Sequence, residues 1–153
     1  MSLRIAILAA GAAGLFTLKS PPWLSIESPV SPYNQATRGA ALLVHAQLAS
    51  GPAKLDEVTG TAEGIVDGAR RTIPLHFTET PQQSVFALRR QWPAQGRWLL
   101  RISLHHATAI VSLDAAGNVL GARVPTESSQ GMDLPREVTA REIDSTLTSL
   151  ARR

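Results

Sequence analysis

The sequence predicts a mainly β protein: an antiparallel β-sandwich preceded by an apolar helix and followed by an amphipathic one. Three observations carry that reading. Residues 92–104, WPAQGRWLLRISL, open on a Pro/Gly turn and then alternate Trp98, Leu100, Ile102 and Leu104 with Leu99, Arg101 and Ser103, the period of a half-buried strand. Such a strand needs partners on both edges, and short alternating runs flank it at intervals of about ten residues. The chain also starts with an uncharged apolar run and finishes on a helical stripe.

A chain of 153 residues is long enough to bury a real core without metal or disulfide staples. It has no cysteine, which excludes disulfides, iron–sulfur clusters and thiolate zinc sites. The net charge is +3 with no basic tail, so a nucleic-acid partner is not expected.

Arg4 precedes IAILAAGAAGLFTL, residues 5–18, the form of a secretory apolar core. No small-x-small cleavage site follows at the right distance, since Lys19, Ser20, Pro21, Pro22 and Trp23 come next. Residues 1–20 are therefore read as an uncleaved membrane anchor, with a removed signal peptide as the alternative. As a helix the run spans roughly 21 Å against a hydrocarbon thickness of about 30 Å, so it would sit better against other helices. Ala10 and Gly14 stand at the small-xxx-small spacing that lets helix backbones approach in lipid, although signal peptides are alanine-rich in any case. Arg4 and the amino terminus outweigh Lys19, which places the N-terminus inside and the rest of the chain in the periplasm, attached to the inner membrane by one span.

Residues 21–37 contain Pro21, Pro22, Pro29 and Pro32 and read as a largely extended tether that has room for a short edge strand at residues 24–27. The sandwich domain follows over residues 38–125. Its first strand covers residues 41–48. Residues 58–66 and 70–78 form a hairpin across Asp67-Gly68, a pair suited to positive φ, and Pro74 puts the second strand at an edge. Phe86 and Leu88 mark the next strand, the Trp98 strand follows, and residues 109–113 and 119–124 form a last hairpin. The expected core is Leu42, Val44, Leu75, Phe77, Leu88, Trp98, Leu100, Ile102 and Val111.

Residues 126–153 read as a polar linker and then a helix. Thr139 and Glu142 form a capping box, Val138 and Ile143 a hydrophobic staple, and Ile143, Leu147 and Leu150 a single stripe. A helix of about 13 residues is marginal alone in water, so the stripe must dock, either on the sandwich or on a partner.

The series of anchor, Pro-rich stretch, GTAEGIV, hairpin, FALRRQWPAQGRWLLRISL and final hairpin resembles bacterial periplasmic immunoglobulin-like sandwiches, including the copper-resistance type and small membrane-anchored proteins of respiratory complexes. As a whole the chain also resembles accessory subunits of photosynthetic reaction-centre and antenna complexes. The resemblance covers roughly residues 24–125 and implies an immunoglobulin-like antiparallel sandwich of about seven strands. Copper-binding members use His-rich or Met-rich ligand sets, which Met1, Met132 and the four histidines do not reproduce.

No catalytic motif stands out: there is no nucleophile elbow, P-loop or dinucleotide glycine pattern. His105 and His106 are adjacent and on a strand would point to opposite faces, while His45 and His76 are isolated, so no metal or cofactor is expected. The acidic residues, among them Glu63, read as solvated charge at turns and strand ends. Arg89 and Arg101 are expected to project outward from one sheet, where arginine suits carboxylate or phosphate, and Trp92 is read as an exposed aromatic anchor beside them. The expected function is that of a non-catalytic accessory subunit of an integral membrane protein complex, touching the lipid bilayer through residues 1–20 and its partner through Ala10, Gly14, Arg89, Trp92 and Arg101. A periplasmic metal or small-ligand carrier and an enzyme with a distributed site are the alternatives.

Overall fold

The computed structural model describes residues 21–152. Ala10, Gly14 and the anchor expectation lie outside the described residues. In chain order the strands are β1 (Trp23–Glu27), β2 (Leu42–Leu48), β3 (Gly51–Pro52), β4 (Val58–Val66), β5 (Ala69–Pro74), β6 (Thr78–Glu79), β7 (Val85–Leu88), β8 (Arg97–Leu104), β9 (Ala107–Leu113), β10 (Val119–Arg123), β11 (Thr126–Ser129) and β12 (Met132–Pro135). One helix, α1 (Ala140–Ala151), follows them. The protein is mainly β, as its alternating sequence requires.

One sheet has the order β1-β2-β7-β6, with β3 paired to β2, and the other the order β10-β9-β8-β4-β5. Every pairing is antiparallel. The Trp98 strand, β8, lies between β4 and β9, so it has partners on both edges as its apolar alternation demands. Leu24, Leu42, Val44, Phe86 and Leu88 of the first sheet and Trp98, Leu100, Ile102, Ala109 and Val111 of the second belong to one buried apolar cluster. The residues that alternate with these point the other way. The predicted core residues all join this cluster, with Phe77 partly rather than fully buried.

Turn chemistry sets the register. Asp67 and Gly68 take φ values of 50° and 77° between β4 and β5, as a two-residue hairpin needs. Pro74 ends β5, which is the edge strand of its sheet, so the missing N–H leaves no gap in a central ladder. The expected strand over residues 70–78 is in fact divided: β5 pairs with β4, and β6 joins β7 in the other sheet. Pro74 stands where the chain leaves the first pairing.

Two stretches differ from their sequence reading. Residues 21–37 are not a tether held off the domain, because Trp23–Glu27 pairs along β2 and Leu24 enters the core. Proline rules out helix but not an edge strand, and Trp23, Leu24 and Ile26 supply its apolar content. Beyond it, Val30 and Ala40 pack on Leu43, Val85 and Ala87, covering the outer face of the first sheet. Residues 126–133 are exposed and residues 134–136 half-buried, but the stretch forms the hairpin β11–β12 instead of a linker. Its turn holds Gln130 and Gly131 at φ 51° and 77°.

Helix α1 docks on the domain itself. Val138, Ile143, Leu147 and Leu150 bury against Leu99 and Ile110, with Ile65 beside them, on the outer face of the second sheet. The apolar Leu99, which alternation alone would leave in water, is thereby fully buried. Thr139 caps the helix, its hydroxyl accepting from the Glu142 N–H while the Glu142 carboxylate accepts from the Thr139 N–H.

Candidate partner-binding surface

Arg89, Trp92 and Arg101 do not form one exposed patch. Arg89 follows β7 in the first sheet and is exposed, with its guanidinium over Gly39, where a Cβ would come within 2.8 Å of Nη1. Arg101 lies on β8 in the second sheet, in register with Thr61 and Ile110. The expectation of a shared sheet is therefore corrected: residues 89–96 carry the chain from one sheet to the other.

Trp92 is corrected as well. It is only 3% exposed and belongs to the shared core, so it is no exposed anchor. Its indole N–H donates to the Gly117 carbonyl at 3.1 Å, and Arg90 donates to the Ala116 carbonyl at 2.8 Å. Together these side chains fasten the crossing loop to the β9–β10 turn. The Asp114 carboxylate holds that turn by accepting from the N–H groups of Ala116 and Asn118, each at 2.8 Å. A buried tryptophan beside Pro and Gly is hard to tell from an exposed one by sequence, because the partner that covers it is about 25 residues away.

Glu63 was hidden from sequence reasoning. It is 8% exposed and stands mid-strand on β4, where Thr61 and Thr72 hydroxyls donate to it at 2.9 and 2.8 Å and Arg70 at 3.3 Å. Burial pushes its carboxyl up, but the hydrogen bonds from Thr72, Thr61 and Arg70, with the Arg70 charge, outweigh that and hold it below the usual carboxylate range. Arg70 also pairs with Asp144 on α1. This carboxylate thus ties the helix to the sheet. The only sequence signal was its opposition to Thr72 across the Asp67-Gly68 hairpin.

The histidines are spread out. His105 and His106 form the two-residue turn between β8 and β9 and do not continue a strand, with His105 at φ 51°. His45 pairs with Glu27 at 2.8 Å, and His105 stands 3.7 Å from Glu57. Among the described residues no group of three or more metal-ligating side chains converges.

Two of the clefts on the domain are lined by His105. One of 320 Å³ lies between Pro22, Leu48, Ala49, Ser50, His105 and His106, at the end where residue 21 begins. The other, of 350 Å³, is polar and holds Arg101 with Thr59, Thr61, Ser103, His105 and Glu137. Comparison of the chain with protein-family models, curated proteins and solved structures finds no match.

Proposed function

We propose that this chain is a non-catalytic accessory subunit of a bacterial inner-membrane protein complex, of photosynthetic or respiratory kind, with one N-terminal span and an immunoglobulin-like sandwich in the periplasm. The observation that carries the reading is the surface around residue 21. Pro21 and Pro22 lead directly into β1, beside the β11–β12 hairpin, so the apolar run of residues 5–18 joins the domain at one end with almost no free chain between. Trp23 is 53% exposed there, and Met132 on the adjacent hairpin is 56% exposed. An aromatic ring at that junction suits the membrane interface. A domain held this close to the bilayer presents its sides to the extracytoplasmic parts of neighbouring membrane proteins.

Contact is then made in two layers. Ala10 and Gly14 pack against partner helices in lipid, while Arg89 and Arg101 meet the partner outside it. Trp92 contributes indirectly, by fixing the loop that carries Arg89 and Arg90. Each layer raises the effective concentration of the other, so neither contact has to be strong.

The experiment is intact-mass analysis of the protein from native membranes, combined with the Ala10→Leu/Gly14→Leu variant. The reading expects residues 1–20 to be retained and the double variant to lose co-purifying membrane proteins. A mature N-terminus beyond residue 20 would reject the anchor.

A second reading, a small-ligand carrier, has the cleft at Pro22, His105 and His106 behind it. Stoichiometric copper binding that His105→Ala and His106→Ala abolish would favour that reading.

A further inference from the structure

Helix α1 covers only part of the outer face of the second sheet. Leu99 and Ile110 lie under it, whereas Thr59, Thr61, Arg101 and Ser103 continue past it as a polar strip that borders the 350 Å³ cleft. Three hydroxyl groups mark this strip. Thr61 donates to Glu63, and Ser103 shares a hydrogen bond with the buried Thr108 at 3.3 Å, while Thr59 is exposed and lines the cleft.

Arg101 is the one arginine among the residues that line this cleft. Arg70, Arg90 and Arg136 are each engaged by carboxylates or carbonyls. Arg101 is half-buried between its neighbours on β4 and β9, yet among the described residues its guanidinium makes no hydrogen bond or ion pair. A half-buried arginine that lines a cleft and has no partner for its guanidinium suits an oxyanion, because the planar fork fits two oxygens at once. The charge around it decides which one. Glu137 on the rim carries a negative charge, and Glu57 stands beside His105, so the cleft has little net positive charge with which to neutralise a dianion.

We infer that this cleft receives a single carboxylate from an acidic segment of a partner protein, the Arg101 fork taking both oxygens and the Thr59 hydroxyl donating to one of them. Glu137 acts as the competitor that keeps the site open to weak, replaceable contacts. The identity of the source rests on the accessory-subunit reading, but carboxylate binding does not. An added peptide tests the site without the complex, so the two can fail separately.

The experiment follows backbone and arginine Nε–H resonances of the full-length ¹⁵N-labelled protein in detergent micelles. The probes are an acetylated, amidated Ala-Ala-Glu-Ala-Ala peptide, the same peptide with glutamine at its centre, and inorganic phosphate. The glutamate peptide should shift the resonances of Thr59, Thr61, Arg101 and Ser103, and Glu137→Gln should tighten its binding. Arg101→Gln should weaken it by about tenfold, the loss of one charge-assisted bidentate contact, and Arg101→Lys, which keeps the charge but not the fork, should fall between. Equal binding of the glutamine peptide, tighter binding of phosphate, shifts confined to other residues, or unchanged affinity in Arg101→Gln would each overturn the inference. Unchanged resonances away from the cleft establish that the Arg101 variants are folded.

Discussion

Trp98 occupies the space that a side chain on Gly64 would need. The two are register partners on β8 and β4, and a Cβ on Gly64 would lie 2.4 Å from the indole Cε3. Trp98 is thereby fully covered, with its N–H donating to the Gln95 carbonyl at 2.8 Å. Gly64→Ala should force the ring off its site and destabilise the domain by about 1–3 kcal/mol, the usual range for overpacking a close-packed core. Denaturant unfolding followed by tryptophan fluorescence measures it, and an unchanged midpoint would mean that the contact is not tight.

The loop that holds Trp92 is equally intolerant. Gly117 sits at φ +81°, and a Cβ there would lie 2.5 Å from Arg90 Nη2 and 2.9 Å from Trp92 Nε1. Trp92→Ala should cost about 3–5 kcal/mol, as buried aromatic truncations do. Loss of a partner in that variant would then follow from unfolding, and thermal denaturation of the isolated variant distinguishes this from a lost contact.

Helix α1 depends on its stripe. Leu147 is 1% exposed against the sheet, so Leu147→Ala should destabilise the fold by roughly 2–4 kcal/mol. Amide hydrogen exchange should accelerate through residues 140–151 and spare β8. Uniform acceleration would show instead that helix and sheet unfold as one unit.

The helix start is sensitive to acid. A hydrogen bond from Arg136, followed by those from the Thr139 backbone and hydroxyl, brings the Glu142 carboxyl down to about 2 from an ordinary 4.5. A lowered folded value means that the stabilisation is complete above pH 4.5 and is lost as pH falls towards 2. The difference in melting temperature between the wild-type protein and Glu142→Gln should therefore shrink across that window. A difference that stays constant with pH would contradict the linkage.

The main strands of the two sheets, the Asp67-Gly68 hairpin, the edge placement of β5 and the capped helix were legible because each depends on residues close in sequence: alternation, turn chemistry, one proline and a Thr/Glu pair, whereas the break at Pro74 and the β11–β12 hairpin were not. What could not be read depends on distant partners. Leu99 appeared to face water until α1 covered it, and Trp92 appeared free until the β9–β10 turn closed over it. Glu63 is the exception: it passed for surface charge although Thr61, Arg70 and Thr72 are near in sequence, because they satisfy it only once β4 and β5 pair. Arg101 was legible as outward-facing, but its cleft takes shape only where the chain re-enters at Glu137.

The proposed role puts the chain within a membrane complex. The most direct measurement is the size of the native protein extracted from its own membranes in mild detergent, read by native electrophoresis with mass-spectrometric identification of what travels with it. The account predicts migration with integral membrane proteins, well above the 16.3 kDa of the chain. A free monomer in its detergent micelle would contradict it.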